Sequence, residues 1–292
     1  MSTDSTASAA DSGTFDLGAG LSIHRLGYGA MQITGDGVWG PPADPDSAKA
    51  VLRRALDLGI DFIDTADAYG PDVSEDLIAD ALHPYADGLV VATKGGLTRQ
   101  GPAKWLPVGR PEYLRQCLEM SLRRLKLDAV PLWQLHRIDP QVPQADQFGF
   151  IADMIGEGKI VRAGLSEVGI DEIEAAGEHF EVATVQNRYS LGHREHEAIV
   201  DYCDAHGIGF IPWYPLDAGK LAGDAKLTEV AQDLGATEAQ VALAWLLKRS
   251  GTMLPIPGTS NARHLEENVA AAGLALSDEQ FALLDRATRG EE

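Results

Sequence analysis

Short apolar runs alternate with amphipathic stretches along almost the whole chain. Eight of the apolar runs have the length and composition of buried parallel strands, at residues 26–31, 61–65, 89–93, 130–135, 160–165, 182–186, 208–213 and 253–257. The stretches between them show helical periodicity, at residues 47–58, 74–82, 112–125, 146–157, from 171, and at 195–206, 237–248 and 264–272. Eight strand–helix units in succession predict an α/β fold of the closed (β/α)8 type, a TIM barrel.

Two segments lie outside these units. The runs FDLG and LSIHR, joined around Gly18–Gly20, predict a β-hairpin before the first barrel strand, and one extra helix is expected at the C-terminus. Residues 1–14 are small and polar and are predicted to form a disordered tail. Because no change in composition marks a further boundary, residues 15–292 are expected to form a single barrel domain.

A doubly wound parallel sheet is the alternative architecture. If such a sheet bound a dinucleotide, its first strand would normally be followed by a GxGxxG loop. Two glycine pairs occur in suitable places, but Ile23 and Gln32 stand where the third glycine is required. The barrel therefore remains the preferred prediction, and it is based on the number of strand–helix units.

The charge of the chain narrows the range of partners. Its 292 residues include 44 acidic and 24 basic side chains, and the net charge of −20 argues against nucleic acid or an anionic membrane as a partner. No apolar stretch reaches the roughly 18 residues of a membrane span, and Cys117 and Cys203 lie far from each other with no CxxC or Cys/His cluster nearby. These features predict a cytoplasmic protein in which both thiols are structural. An anionic ligand would need its own local positive site.

Polar side chains gather where the predicted strands end, which is the face of a TIM barrel that carries the chemistry. In chain order they are Asp64, Tyr69, Lys94, His136, Ser166, Glu167, Gln186 and Asn187. Several of these residue types also have a purely structural interpretation, since a lysine can reach solvent, a histidine can pack at the edge of the core and an aspartate can cap a turn. Their coincidence on consecutive strands of one barrel favours a functional site.

The chemistry of four of these residues fits together. A buried Asp64 carboxylate needs a compensating partner, and Lys94 can provide it. A cation beside Tyr69 is expected to lower the pKa of the phenol from about 10 towards the physiological range. Such a phenol could protonate a nascent alkoxide, with His136 forming a hydrogen bond in the same small volume. The hydride for a carbonyl reduction would have to come from a cofactor, because no side chain donates one.

Signatures of other catalytic classes are missing from the sequence. The HExxH metal site, the GxSxG nucleophile motif, the HxH pair of barrel metallohydrolases and the Walker GxxxxGK[ST] loop all fail to match. In GLSEV, for example, Val168 stands where the nucleophile motif requires glycine. No metal is therefore expected.

Asp64, Tyr69, Lys94 and His136, in this order, resemble the catalytic tetrad of the aldo-keto reductases. Seven segments each look like a motif of that family at its expected strand: DTADAYG, VVATKGG, LWQLHRID, GKIVRAGLSE, VQN, IPWYPL and IPGTS–ENVAA. The similarity extends over residues 15–285. It implies a metal-free oxidoreductase that binds NADP(H) in extended form across the barrel mouth. Tyr69 would be the general acid, Asp64 and Lys94 would tune it, and His136 would orient the carbonyl.

The resemblance also implies a cofactor site built from several strand ends. Ser166 and Gln186 would hold the nicotinamide carboxamide, with Glu167 beside them, and Trp213 would stack on the nicotinamide ring. The other implied cofactor residues are Gly29, Ala30, Met31, Asp64, Tyr214, Pro215, Leu216, Gly219, Leu221, Gly258, Thr259, Ser260, Arg263, His264, Glu267 and Asn268.

Several of these positions depart from the family pattern. Some members have a lysine where this chain has Gly258, and many have an asparagine where it has Glu167, although a carboxylate could still accept from the carboxamide. The usual YSPL is WYPL here, which places Tyr214 where serine is common. The arginine position of the family corresponds to His264, with Arg263 beside it. Since Arg263 can meet a 2′-phosphate, NADPH is favoured over NADH as the cofactor.

The substrate pocket is predicted from residues near the barrel mouth. Trp39 and Trp105 lie in Gly/Pro-rich loops after strands one and three, and together with Met31 and His136 they indicate an aromatic, apolar pocket. Similarity to bacterial members that include pyridoxal reductases suggests pyridoxal or another aromatic aldehyde as substrate. We expect an NADPH-dependent reductase of aldehydes or ketones, acting as a monomer or weak homo-oligomer. The alternative is a non-catalytic NADP(H)-binding barrel that serves as a sensor or regulatory subunit.

Overall fold

The chain forms eleven short strands and ten α-helices in the part that the structure describes. A computed structural model describes residues 7–217 and 224–289. In chain order, the strands are β1 (Thr14–Asp16), β2 (Ser22–His24), β3 (Tyr28–Gly29), β4 (Phe62–Asp64), β5 (Val90–Gly95), β6 (Leu97–Arg99), β7 (Trp105–Pro107), β8 (Val130–Leu135), β9 (Ile160–Ser166), β10 (Val182–Gln186) and β11 (Gly209–Phe210). The helices are α1 (Pro45–Asp57), α2 (Val73–Leu82), α3 (Pro111–Leu125), α4 (Gln144–Gly156), α5 (Ile170–Gly177), α6 (Glu197–His206), α7 (Ala225–Leu234), α8 (Glu238–Arg249), α9 (Ala262–Ala270) and α10 (Asp278–Arg289).

The larger sheet curves into the predicted barrel. Seven of the described strands pair in parallel, in the order β11–β10–β9–β8–β5–β4–β3. Residues 252–257, the closing segment, join the two edges. The Leu254 N–H donates to the Phe210 carbonyl (2.8 Å) on one side, and on the other the Gly27 N–H donates to the Pro255 carbonyl (3.0 Å). The closing segment therefore takes the place of the eighth strand and completes a TIM barrel.

The lower half of the barrel interior is apolar. The predicted hairpin forms between β1 and β2, and two of its side chains, Leu17 and Ile23, are buried in one cluster with residues from the barrel strands. The strand residues of this cluster are Phe62, Val90, Ala92, Leu132, Ala183, Ile211, Leu254 and Ile256. Because side chains on a strand alternate between its two faces, residues two positions further on lie on the same face and closer to the carboxyl ends. Asp64, Lys94 and Gln134 are three such residues.

Most predicted elements are present, with shifted ends. The strands at 130–135 and 182–186 have the predicted bounds. The first strand is shorter than predicted, because the chain turns into a 3-10 helix at Ala30–Ile33. Helix α1 begins earlier, since Asp44 accepts a hydrogen bond from the Ser47 N–H (3.0 Å) and Pro45 occupies its first turn. The antiparallel pair β6–β7 and helix α7 were not predicted.

The N-terminal segment is more ordered than expected for a disordered tail over residues 1–14. Residues 1–6 lie outside the described residues, but Ala9–Ser12 form a 3-10 helix that is capped by Ser8. Ala9 is buried, and its N–H donates to the Leu58 carbonyl (2.9 Å). In the described ranges, no helix is long and apolar enough to cross a membrane.

Two glycines face each other where the barrel closes. A Cβ atom added at Gly258 would lie 2.7 Å from the Gly29 carbonyl oxygen, and one added at Gly29 would lie 2.7 Å from the Ile256 carbonyl oxygen. Neither obstacle is a flexible side chain, so the backbone itself would have to move. This close approach explains why Gly258 carries no side chain.

Replacing Gly258 with alanine should therefore destabilise the fold by about 1–3 kcal/mol, the usual cost of overpacking. Gly149 is the matched control, because it lies inside α4 and an added Cβ would meet no atom within 4 Å. There, alanine should stabilise by roughly 0.5–1 kcal/mol. Urea denaturation of both variants measures the difference, and equal effects at the two positions would show that the closure is not tightly packed.

Candidate active site at the carboxyl ends of the barrel strands

Lys94 is the centre of a buried polar network. It lies on β5, beside Gln134 of β8 in the strand register, and its side chain is 0% exposed. Its ammonium group donates to Asp64 Oδ1 (2.5 Å), to the Thr65 carbonyl (2.8 Å) and towards Tyr69 Oη (3.4 Å). An ammonium has three N–H donors, and all three have a partner here. The cation that a buried Asp64 requires is therefore present.

The second oxygen of Asp64 is held by two amides. Asp64 Oδ2 accepts from Gln134 Nε2 (3.0 Å) and from Gln186 Nε2 (2.9 Å). These contacts join β4, β5, β8 and β10 across the barrel interior. Gln134 was missed in the sequence analysis, although it is a lone amide in the apolar run VPLWQL and such a residue signals a buried hydrogen-bond partner.

The pKa of Tyr69 moves in the direction opposite to the one expected from its cation. Burial raises the pKa of Tyr69 above its usual value, and although Lys94 opposes this, Asp64 adds to it. For Lys94, burial acts to lower the pKa, but the charges of Asp64 and Tyr69 and the hydrogen bonds with them together outweigh burial, and the net shift is upward. Because burial and the negative charge of Asp64 together outweigh the effect of Lys94, the phenol stays protonated at neutral pH.

Three rings meet beside this network. The centroid of the Tyr69 ring lies 5.9 Å from that of His136 and 6.3 Å from that of Trp105, and the Trp105 and His136 rings are 6.4 Å apart. Burial, with further contributions from Lys94, Arg137 and Arg99, lowers the pKa of His136 well below its usual value. The imidazole is therefore neutral, and its Nδ1 has no hydrogen-bond partner within the described part of the chain. A neutral imidazole carries one N–H, which can donate a hydrogen bond to a carbonyl oxygen.

Arg137 is a further residue at this mouth that the sequence analysis did not single out. One of its nitrogens, Nη1, donates to Ser166 Oγ (2.9 Å) and to the His136 carbonyl (2.6 Å). The predicted cofactor residue Ser166 is thus already hydrogen-bonded by the arginine of the LHRID motif. Its position directly after the candidate histidine was the available signal.

Glu167 contacts the side chain of another predicted cofactor residue. Its Oε1 accepts from the Trp213 indole N–H (2.5 Å) and from the Arg188 backbone N–H (2.8 Å). The structure thus gives this carboxylate a partner that the sequence analysis had not foreseen. The neighbouring Asn187 binds the backbone of Val168 in both directions, which indicates a structural role.

The predicted phosphate and adenine residues lie around the N-terminus of α9. Thr259 is buried, its carbonyl accepts from Tyr28 Oη (2.6 Å), and Asn261 caps the helix by accepting from the Arg263 N–H (2.9 Å). Arg263 is exposed and lies 3.6 Å from the Glu267 carboxylate. Ser260 and His264 are exposed, and Asn268 is buried. Helix N-termini attract anions, so this end of the site suits a phosphate.

The remaining predicted residues are distributed around the same strand ends. Ala30 is buried and Met31 half-buried in the 3-10 helix after β3, while Trp39 and Trp105 are each 38% exposed. After β11, Tyr214 is exposed, Pro215 is buried and Leu216 is half-buried. Gly219 and Leu221 lie outside the described residues. Across the described ranges, no group of three or more His, Cys, Asp or Glu side chains could hold a metal ion.

Known proteins match this chain over almost its full length. A model described as "Aldo/keto reductase family" matches residues 25–289. An uncharacterized oxidoreductase of Schizosaccharomyces pombe is 51% identical over 289 residues, which are 99% of this chain and 94% of the relative. The pyridoxine 4-dehydrogenase of Escherichia coli is 42% identical over 289 residues, which are 95% of this chain and 99% of the relative.

A solved structure shows the same architecture. An aldo-keto reductase from Klebsiella pneumoniae, crystallised in complex with NADPH, is 27% identical and aligns with a TM-score of 0.80 over 94% of each chain.

Replacing Lys94 with methionine should destabilise the fold by about 3–5 kcal/mol, because the Asp64 carboxylate is then buried without its cation. Urea denaturation at pH 7, followed by circular dichroism, measures the loss. The double variant Asp64→Asn, Lys94→Met removes both charges and should recover a large part of it. A single variant as stable as the wild type, or a double variant no better than the single one, would contradict this account of the pair.

Proposed function

Because the chain belongs to the aldo/keto reductase family of oxidoreductases, we propose that it reduces an aldehyde or ketone to the alcohol with NADPH, and that Tyr69 is the general acid. The observation that carries this proposal is the contact of the Lys94 ammonium with both Asp64 and Tyr69, beside the ring of His136. A protonated phenol, a buried cation next to it and a neutral imidazole are the groups that a carbonyl reduction needs.

The roles of these residues follow from their protonation states. Tyr69 donates its hydroxyl proton to the carbonyl oxygen as the C=O bond becomes a C–O single bond. The Lys94 ammonium, 3.4 Å from Tyr69 Oη, stabilises the phenolate that develops. His136, which is neutral, donates a hydrogen bond to the same oxygen and holds the carbonyl in place. When bound, NADPH would supply the hydride that the carbonyl carbon receives.

The residues around Trp213 fit the nicotinamide end of the cofactor. The side-chain oxygen of Gln186 accepts no hydrogen bond from the described residues, since its contacts there are made by Nε2. This oxygen and the Ser166 hydroxyl are available to the carboxamide, and the half-buried Trp213 ring offers a stacking surface. At the far end, the N-terminus of α9 and the exposed Arg263 would meet the phosphates. The Klebsiella pneumoniae relative solved with NADPH supports the same cofactor here.

We further propose an aromatic aldehyde, with pyridoxal as the first candidate, as the substrate. Trp105 packs against both Tyr69 and His136, so a carbonyl placed between these two side chains would bring its substituent against an exposed indole. Aromatic rings bind such surfaces well. The similarity to the Escherichia coli pyridoxine 4-dehydrogenase is consistent with a pyridine substrate.

Replacing Tyr69 with phenylalanine should reduce turnover by at least about 10²- to 10⁴-fold, the usual loss for a positioned general acid. The ring that packs against Trp105 and His136 is kept, so the melting temperature and the affinity for NADPH should remain close to those of the wild type. Oxidation of NADPH, followed by absorbance with benzaldehyde and pyridoxal, measures turnover.

The two alternatives to this mechanism give different results in the same assay. A Tyr69→Phe variant that keeps most of its activity would contradict the assignment of Tyr69 as the general acid. Wild-type protein that binds NADPH tightly but turns over neither aldehyde would favour the non-catalytic sensor.

The preference for NADPH over NADH is tested by replacing residues in the first turn of α9. Replacing Arg263 and His264 together with alanine should weaken NADPH binding roughly 10- to 150-fold, which corresponds to about 1.5–3 kcal/mol for charge-assisted contacts with the 2′-phosphate. NADH binding should be unchanged, because that cofactor lacks the phosphate. Titration of intrinsic fluorescence measures both affinities, and equal losses would show that the 2′-phosphate binds elsewhere.

A further inference from the structure

Arg99 joins three segments of the barrel mouth. It lies at the end of β6 in the hairpin that the sequence analysis missed, and every N–H of its guanidinium has a carbonyl partner. The acceptors are Lys104 (3.1 Å) for Nε, Val38 (2.6 Å) and Ala68 (2.6 Å) for Nη1, and Gly37 (2.9 Å) and Gly101 (3.5 Å) for Nη2. These carbonyls belong to the loops after β3 and β4 and to the β6–β7 hairpin itself.

The same guanidinium contacts both tryptophans of the mouth. Its central carbon lies 3.6 Å from the centroid of the Trp105 ring and 5.6 Å from that of Trp39. Both distances are within the range of cation–π attraction. Trp105 in turn packs against Tyr69 and His136. One side chain thus connects the two exposed indoles to the two rings that we place at the reacting carbonyl.

The backbone that Arg99 holds is strained. Val38 has φ of 55°, in the left-handed region, which is an uncommon conformation for any residue with a side chain and an outlier for a β-branched one. Its carbonyl accepts from Arg99 and also from the Gly70 N–H (3.3 Å). Strained residues persist where their surroundings over-determine them, often at binding sites. Here the strain directs the carbonyl to Arg99 and leaves the next residue, Trp39, at the mouth.

We infer that Arg99 is a positioning residue that assembles the wall made of Trp39 and Trp105, and that this wall makes the enzyme selective for aromatic over small aliphatic carbonyl compounds. The inference rests on the proposed function, because it concerns the substrate of that same site. Since its five N–H donors are already bound, Arg99 acts on its neighbours and does not bind an anionic group of the substrate. The substrate ring is held by contact with the indoles.

The test compares two aldehydes in one set of variants. Arg99→Lys keeps the charge but cannot reach five carbonyls, and Arg99→Met keeps only the aliphatic stem. For both, kcat/KM with benzaldehyde should fall about 10- to 100-fold, the scale expected when a binding surface is misplaced by about 1 Å, and the loss should appear mainly in KM. The kcat/KM for propanal should fall much less than that for benzaldehyde, because a small aliphatic substituent makes little contact with the indoles, and the affinity for NADPH should stay close to the wild type.

Arg53→Met is the matched control. Arg53 is exposed on α1, donates one hydrogen bond to the Ala81 carbonyl and lies in none of the three segments. The Arg53→Met variant should have the same kcat/KM as the wild type with both aldehydes. Equal losses for benzaldehyde and propanal in the Arg99 variants would overturn the inference, because they would indicate general damage to the site, and so would unchanged kinetics with benzaldehyde.

A second readout does not depend on turnover. In Arg99→Lys, backbone amides of residues 35–41 and 101–107 should exchange with deuterium faster than in the wild type, and quenching of tryptophan fluorescence should show weaker binding of benzaldehyde. Unchanged exchange and binding would overturn the inference. If the wild type reduces neither aldehyde, the proposed function fails, while exchange and binding still decide whether Arg99 assembles the wall.

Discussion

The ion pair between Lys94 and Asp64 is the interaction on which the rest of the site depends. Moving two charges out of water is costly, and the cost is met only when every remaining donor and acceptor has a partner. The barrel meets this condition with the Thr65 carbonyl and the amides of Gln134 and Gln186. The network therefore fixes four strands relative to one another, directly above the apolar half of the interior.

The surroundings of this pair have opposite effects on its two aromatic neighbours. Burial disfavours the charged form of any group, so it raises the pKa of the Tyr69 phenol and lowers the pKa of the His136 imidazole. Both groups are uncharged at neutral pH for the same reason. The phenol keeps the proton that it must donate, and the imidazole remains a hydrogen-bond donor. Within the buried network itself, the charges of Lys94 and Asp64 largely cancel at a distance.

The architecture was predictable from the sequence because strand–helix alternation and apolar runs such as residues 130–135 are local signals. The contact of Lys94 with Asp64 was also predictable, since a buried carboxylate requires a cation and both residues lie at the carboxyl ends of strands. Contacts that depend on exact geometry were not predictable from the sequence. The net shift in the pKa of Tyr69 depends on the balance between burial and Asp64, which raise it, and Lys94, which lowers it. The contact of Glu167 with Trp213 and the five bonds of Arg99 join residues whose approach only the folded chain reveals.

The barrel is closed by contacts between the two ends of the chain, and this affects how it is made. The hydrogen bond from Tyr28 to Thr259 spans 231 residues, a length that a ribosome needs roughly 10–50 s to synthesise. Until the closing segment emerges, the outer edge of β3 has no neighbouring strand, and an unpaired edge can pair with other chains. The nascent chain is thus most open to misassembly as an incomplete barrel, before its last strand position is filled.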